Sequence, residues 1–259
     1  MSHEPISRFR RLRGRSVVAI RRGVANPVSR RIPLSLLRRW HRLRRRLWPR
    51  RYTDADPLAL REIDPCRINR SLLEAAPGRP QWGRVVGGAW EQAWEPFDDR
   101  RVPRGLEQRF LADIPWAETA LYDAYVDQLK RFGNAWEYTS IDDFERRCRE
   151  IERLYRSIER DGYREQAELR DCGATLGARA DEINVDIGHN GTIYWRTYGQ
   201  HRLAIAKLLD LEAVPVVVQR RHREWQRVRD RVRDGGLTAV DAAYREHPDL
   251  YDLVGVGAE

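Results

Sequence analysis

Residues 183–196 carry the hydrophobic pattern of a β-hairpin. Apolar and polar residues alternate from Ile183 to Ile187, which places the apolar side chains on one face of a strand. The dipeptide Asn190-Gly191 follows, and it is the strongest short signal for a hairpin turn because both residue types tolerate positive φ. Residues 192–196 are therefore predicted to form the returning strand.

A buried helix and a further strand are predicted after the hairpin. Residues 203–209 are apolar on every side except at Lys207, a pattern typical of a helix enclosed by the core. Residues 214–218 are β-branched apart from one proline near the start, which predicts a strand. Residues 222–246 are highly charged and predict helices interrupted by a glycine pair.

Residues 105–161 are predicted to be mainly helical. One helix, from Trp116 to Phe132, places its apolar residues on a single face. A second helix begins after Ser140, a good N-cap residue, and ends before Gly162, which suits the left-handed position that follows many helices. Residues 74–104, which are rich in Gly, Pro and Trp, predict an irregular loop whose tryptophans pack over the core.

Residues 32–48 predict a basic amphipathic helix. Leu36, Trp40, Leu43 and Leu47 recur at helical spacing, with arginines between them. Three interpretations stay open: the helix packs its apolar stripe on the body, lies on a lipid surface, or forms an arm that binds nucleic acid.

Charge separates the N-terminus from the rest of the chain. Residues 1–51 contain 17 arginines and a single acid, Glu4, for a net charge of +16. The other residues carry 31 basic and 38 acidic side chains, a net charge of −7. A basic arm on an acidic body is typical of proteins that bind nucleic acid, anionic lipid or an acidic partner.

The cysteine pattern points to a reduced compartment. Cys66, Cys148 and Cys172 are widely spaced and odd in number, and no Cys/His spacing fits a zinc site. The three thiols are expected to be neither catalytic nor disulfide-bonded, and no metal site is predicted. No apolar stretch approaches the ~20 residues that span a bilayer, and no secretory signal is recognised.

The predicted fold class is α+β, with a small mixed sheet, helices beside it, a helical insertion and a basic N-terminal arm. Four regions are expected along the chain. They are a basic arm with an amphipathic helix (1–51), a strand with a Gly/Trp-rich loop and a helical insertion (52–149), an α/β core (150–225) and a C-terminal helical tail (226–259).

The order of elements in residues 150–225 resembles the ParB/sulfiredoxin superfamily. Leu154 to Gly162 is similar to the family's helix, and Gln166 stands where a glutamine often follows the turn. Gly199 to Ala206 is similar to the family's Gly-Glu-Arg-Arg segment and its buried helix, and Leu211 to Val218 is similar to its closing strand. The resemblance places the first strand near residues 63–68 and makes residues 70–140 a large insertion.

The resemblance implies a phosphate ligand at Gly199, Gln200, His201 and Arg202. In ParB proteins this segment holds the triphosphate of CTP, so CTP or ATP with Mg²⁺ is the implied cofactor and slow nucleotide hydrolysis the implied activity. Gly199 and Arg202 match that pattern, whereas Gln200 replaces the acid and His201 the first arginine. In sulfiredoxins a cysteine at the Gln200 position does the chemistry, so sulfiredoxin activity is expected to be absent.

The same segment suits an anion on physical grounds alone. Gly199 permits a tight turn, the first turn of the following helix has unpaired N–H groups, and His201 and Arg202 add donors. The opposing interpretation is that His201 and Arg202 pair with nearby acids and only fix the hairpin. Those acids are Asp181, Glu182 and Asp186. If the segment binds a ligand instead, the accessory candidates for the site are Arg179, Arg196 and Gln166.

Two functions from different classes follow. The first is a ParB-like protein that binds a nucleotide or another phosphate ligand at Gly199–Arg202, with catalytic residues and enzyme status left open. The second is a non-enzymatic adaptor at DNA or a membrane surface, in which residues 1–51 bind and the ParB-like domain is scaffold. Both imply a cytoplasmic protein, peripheral at the membrane or the nucleoid in the second case.

Overall fold

One mixed sheet, with helices packed against it, organises the described part of this α+β fold. The computed structural model describes residues 33–73, 81–170 and 174–254. Its strands are β1 (Leu60–Ile63), β2 (Arg70–Leu72), β3 (Arg84–Val86), β4 (Trp94–Pro96), β5 (Ile183–Ile187), β6 (Ile193–Trp195) and β7 (Val214–His222). Its helices are α1 (Leu34–Leu47), α2 (Arg101–Phe110), α3 (Ala120–Phe132), α4 (Phe144–Asp161), α5 (Gln166–Leu169), α6 (Leu176–Asp181), α7 (Gln200–Leu208), α8 (Arg223–Gly235) and α9 (Tyr251–Val254).

Strand β7 lies inside the sheet and organises it. It pairs in parallel with β5 on one side, and on the other side with β1 along its first half and with β3 along its second half. The strands β6, β2 and β4 follow β5 toward the opposite edge. The predicted hairpin is confirmed, because β5 and β6 are antiparallel and Gly191 has a φ of +85° in their turn.

The core lies between the sheet and the helices that cover it. All nine residues of β7 are buried, which agrees with a valine-rich strand that has neighbours on both sides. Helix α7 connects β6 to β7 and is buried as predicted, with Leu203 and Ile205 completely enclosed. Apolar residues of β5 form part of the same core cluster.

The helices of residues 101–161 agree with the sequence pattern except at one start. Ser140 caps a 3₁₀ turn at residues 141–143, and α4 then runs to Asp161. Gly162 ends α4 with a φ of +73°, as expected. The helix predicted from Trp116 begins only at Ala120, because a 3₁₀ turn and an extended Thr119 precede it.

The prediction of an irregular loop at residues 74–104 is wrong in part. β3 and β4 lie within that range, and α2 begins at Arg101. β2 pairs with β6 and β3 pairs with β7, so both strands belong to the same sheet as the C-terminal half. Residues 74–80 lie outside the described part of the chain.

The first strand also ends earlier than the expected range of residues 63–68. β1 stops at Ile63, and Pro65 opens a 3₁₀ turn that reaches Arg67. Proline has no N–H to donate to a sheet, and the Asp64 carboxylate accepts the Cys66 N–H at 2.7 Å instead. The local chemistry therefore favours a turn over a longer strand.

Candidate functional site

Gly199 begins α7 in the left-handed conformation, with a φ of +76°. A Cβ at this position would lie 2.8 Å from the Cα of Ile183, so any side chain would push α7 away from β5. Gly199 is thus required by the backbone conformation and by the close contact between helix and strand. The predicted glycine turn exists, and packing alone is sufficient to explain the glycine.

Arg202 points into the body of the protein. Its guanidinium donates to the Tyr163 hydroxyl at 2.9 Å and to a Glu182 carboxylate oxygen at 3.4 Å, and it also donates to the Asp181 carbonyl. The Glu182 side chain is 1% exposed and that of Arg202 is 14% exposed. Of the two interpretations of Arg202, the geometry favours the ion pair with a neighbouring acid.

Several of the residues singled out in the sequence contact the carboxylate of Glu182. The backbone N–H of Gln166 donates to its carboxylate at 2.6 Å and the Tyr163 hydroxyl donates at 3.2 Å. Burial raises the pKa of Glu182 above its ordinary value, and the Gln166 N–H and Arg202 act in the opposite direction. The structure thus brings Gln166 and Arg202 together on one buried carboxylate.

His201 is buried as well, and its environment favours the neutral imidazole. An Arg147 nitrogen lies 3.2 Å from Nε2, and the Trp136 ring packs edge-on with its centre 5.1 Å away. Burial, followed by the charges of Arg147 and Arg202, holds the pKa of His201 well below its ordinary value. Of the two interpretations of His201, this geometry favours the one in which the side chain is held within the fold.

Gln200 is the member of the segment that borders an open groove. The groove has a volume of about 490 Å³ and lies where the start of α7 meets α2 and α3. It is lined by Arg100, Arg101 and Arg131 and by Glu95, Asp99 and Asp127. Sequence reasoning missed these side chains because they come from residues 95–131, outside the segment that carries the family resemblance.

The arginines of this groove are largely engaged already. Arg100 donates to the Ser71 hydroxyl at 2.8 Å and forms an ion pair with Glu95. Arg101 and Arg131 both approach Asp127. Charge in the groove is balanced, and a phosphate would have to compete with carboxylates for each guanidinium.

The remaining accessory candidates do not converge on Gly199. Arg196 and Arg220 both pair with Asp186, which is fully buried. Burial raises the pKa of Asp186, and the two arginines oppose that shift. Arg179 pairs with Glu165 at 3.2 Å. Each of these arginines has a carboxylate partner within the fold.

The described residues show no metal-binding group, and their two cysteines are free. The described residues contain no group of three or more His, Cys, Asp or Glu side chains placed to hold a metal ion. Cys66 and Cys148 are free thiols, and burial raises the pKa of Cys148 to about 12. Cys172 lies outside the described part of the chain.

Helix α1 contacts the body through Leu34 and His41. The His41 ring nitrogen Nε2 lies 3.0 Å from the Thr53 carbonyl, and Arg38 pairs with Asp56 at 2.6 Å. The ring of His41 packs against Gly83, where a side chain would collide with it. Burial lowers the pKa of His41, so the docked histidine is held in its neutral form.

The apolar stripe of α1 faces away from the body. Leu36, Trp40, Leu43 and Leu47 are 58%, 50%, 46% and 56% exposed. At about 100° per residue, the stripe lies roughly half a turn from Leu34 and His41. The interpretation in which this stripe packs on the body is therefore wrong, and the other two interpretations of the helix remain.

Arginines border the exposed stripe. Arg39, Arg42 and Arg46 are exposed along one of its flanks, and none of them forms an ion pair with a described residue. The predicted helix of residues 32–48 is confirmed from Leu34 to Leu47, and residues 1–32 lie outside the described part of the chain. Within residues 33–254, the described segments contain no helix long and apolar enough to cross a membrane.

Comparisons with protein-family models, with curated proteins and with solved structures gave no significant match.

Proposed function

We propose that the protein attaches to anionic membrane surfaces through α1, as a peripheral adaptor. The observation that carries this proposal is the outward stripe of Leu36, Trp40, Leu43 and Leu47 on a helix whose opposite side is docked. A helix of this kind lies in the plane of the interface, with its apolar residues below the headgroups and its arginines among the phosphates.

Both the apolar stripe of α1 and the arginines beside it suit an anionic bilayer. The half-exposed leucines each gain roughly 1 kcal/mol when their remaining surface leaves water. Trp40 and Trp48, 50% and 47% exposed, have the amphipathic rings that favour the headgroup level. Arg39, Arg42 and Arg46 add electrostatic attraction that salt screens.

Nucleic acid is the weaker candidate for the same surface. Arginines alone are sufficient for phosphate-backbone binding, and such binding leaves leucines in water. The surface carries Leu36, Leu43 and Leu47 beside the arginines. A bilayer has an apolar layer that can bury these leucines, so it explains more of the surface than nucleic acid does. Residues 1–51 hold 17 arginines, so both kinds of binding would weaken with salt, and salt dependence cannot distinguish them.

Vesicle flotation with matched variants tests the proposal. We expect the full chain to float with phosphatidylcholine vesicles only when they contain phosphatidylglycerol. Leu43→Glu should weaken flotation at least tenfold, because a carboxylate enters the apolar layer, whereas Leu111→Glu, at a 64% exposed position in the segment after α2, should not. DNA binding that is strong and indifferent to Leu43→Glu, without flotation, would assign the surface to nucleic acid instead.

A second candidate is a phosphate ligand at the groove beside Gln200. It is supported by the groove's position at the first turn of α7, whose N–H groups and dipole favour an anion, and by three lining arginines. The order of the β5–β6 hairpin, the Gly199 turn, α7 and β7 supports a ParB/sulfiredoxin-like identity for residues 150–225. CTP or ATP with Mg²⁺ is the ligand that this identity would imply.

Calorimetric titration with CTP and ATP in the presence of Mg²⁺ tests the second candidate. Gln200→Glu should abolish binding, because it places a negative charge at the groove while still suiting the N-terminus of α7. Gln92→Glu, at an exposed position that does not line the groove, is the control. Absence of heat with either nucleotide, or equal affinity in the Gln200 variant, would remove this candidate.

A further inference from the structure

A buried carboxylate orients an exposed histidine at the β5–β6 turn. Glu91, whose side chain is 9% exposed, accepts the backbone N–H of His189 at 2.7 Å and lies 2.5 Å from its Nδ1. Gly188 makes this approach possible, because a side chain there would run into the Glu91 carboxylate. The β5–β6 turn therefore accommodates the close contact between Glu91 and His189.

The contact determines which ring nitrogen can accept a hydrogen bond from a ligand. A carboxylate accepts hydrogen bonds, so it keeps the neutral-state proton of His189 on Nδ1 and leaves Nε2 as a bare acceptor. The His189 side chain is 58% exposed, so a ligand can reach Nε2. The other histidines of the described residues are buried and hydrogen-bonded within the fold: His41, His201, His222 and His247.

His189 borders a groove that runs along α8. The groove has a volume of about 650 Å³ and is also lined by Tyr244 and by charged residues of α8. Two arginines face it. Arg227 pairs with Glu224 at 2.7 Å, whereas Arg231 forms no ion pair with any described residue.

The acids of the groove have partners of their own. Asp230 and Asp234 pair with Arg233 at 2.9 Å and 3.0 Å, and Glu224 pairs with Arg227. Among the described residues, none forms an ion pair with Arg231 or a hydrogen bond with Nε2 of His189, so both groups are available for a ligand. They suit a hydroxyl, which donates to Nε2, and an anionic group, which accepts from Arg231.

We propose that His189, oriented by Glu91, is the hydrogen-bond acceptor of a binding site for small hydroxylated organic anions, in which Arg231 holds the anionic group. The site lies between the β5–β6 turn and α8, apart from the groove beside Gln200 and from the stripe of α1. Glu91 is a positioning residue, because it acts on the ligand through the imidazole.

The tautomer and the ligand contact are both visible by NMR of the imidazole ring nitrogens. We expect Nδ1 of His189 to be protonated and Nε2 to shift on titration with ribose 5-phosphate, which carries both groups. Ribose alone and inorganic phosphate should give much weaker responses. An Nε2-protonated tautomer, no shift with ribose 5-phosphate, or an equal response to inorganic phosphate would each overturn the proposal.

Two substitutions distinguish a ligand-binding site from a turn that has only a structural role. Arg231→Gln, on the surface of α8, should lower the affinity for ribose 5-phosphate about tenfold, whereas Arg160→Gln on α4 should leave it unchanged. Glu91→Gln should move the His189 proton to a mixture of both nitrogens. If Glu91→Gln fails to fold, the Arg231 comparison still decides, since equal affinities in wild type and Arg231→Gln contradict the site.

Discussion

Trp40 and His41 are neighbours in sequence, about 100° apart around α1, and only His41 faces the body of the protein. Trp40 is 50% exposed, whereas His41 is 7% exposed and lies within hydrogen-bond distance of the Thr53 carbonyl. The polar residue thus docks the helix and the aromatic residue faces outward. This reverses the usual arrangement of an amphipathic helix on a globular body and makes the outward stripe available to a partner.

The two sides of α1 should respond differently to truncation. His41→Ala removes a buried ring and leaves the Thr53 carbonyl unpaired, so we expect a loss of roughly 2 kcal/mol of unfolding free energy. Leu36→Ala, at a 58% exposed position, should change it by less than about 0.5 kcal/mol. Urea unfolding of both variants checks the orientation, and a larger loss from Leu36→Ala would contradict it.

Arg202 should be a stability residue. Arg202→Ala leaves the buried Glu182 without its charged partner, so we expect a loss of roughly 3 kcal/mol by urea unfolding. Arg160→Ala, whose side chain is 76% exposed, should cost almost nothing. Adding Glu182→Gln to Arg202→Ala should restore part of the loss. Unchanged stability together with loss of a nucleotide-induced shift in melting temperature would instead support the phosphate interpretation.

Stability should fall in mild acid because His247 is buried in its neutral form. Burial lowers its pKa from 6.5 to about 4, and Nε2 lies 2.9 Å from the Gly191 carbonyl. Between these values the unfolded chain binds a proton that the folded protein excludes. The stabilisation is complete above pH 6.5 and is lost as the pH falls toward 4, by up to roughly 3 kcal/mol.

Urea unfolding between pH 7.5 and 4.5 measures this loss. The variant His247→Gln cannot take up the proton, so its unfolding free energy should depend less steeply on pH than that of the wild type. Parallel pH profiles for the two proteins would show that His247 does not titrate in this window.

The sequence was sufficient for elements whose signals are local. Alternation over residues 183–187, the Asn190-Gly191 turn and the glycine before α7 each lie within a few residues, and all three were found. β2, β3 and β4 were missed because strands of three residues are too short to show alternation, and their pairing partners lie far along the chain.

The candidate sites show the same limit. Periodicity identified the stripe of α1, but it could not tell which side of the helix docks, because the docking side uses His41 and Leu34. The sequence placed acids near Arg202, but only the fold shows that Glu182 holds its guanidinium. The pair of Glu91 and His189 joins residues 98 positions apart, and no local pattern indicates it.

The described cysteines should differ sharply in reactivity. Cys66 is exposed and should react with a maleimide in the folded protein, whereas Cys148 is buried with a pKa of about 12 and should react only after unfolding. Mass spectrometry of the labelled chain checks both sites. We also expect replacement of Cys66, Cys148 and Cys172 to leave membrane binding unchanged.

Depth measurement by spin labelling tests the membrane proposal at Leu43, a residue of the apolar stripe. A nitroxide at Leu43→Cys, in a chain without its three native cysteines, should be accessible to oxygen and shielded from a water-soluble nickel relaxant on phosphatidylglycerol vesicles. A nitroxide at Arg42→Cys, on the arginine flank, should remain accessible to nickel. Vesicle-bound protein whose label at position 43 stays as accessible to nickel as the label at position 42 would contradict insertion of the stripe.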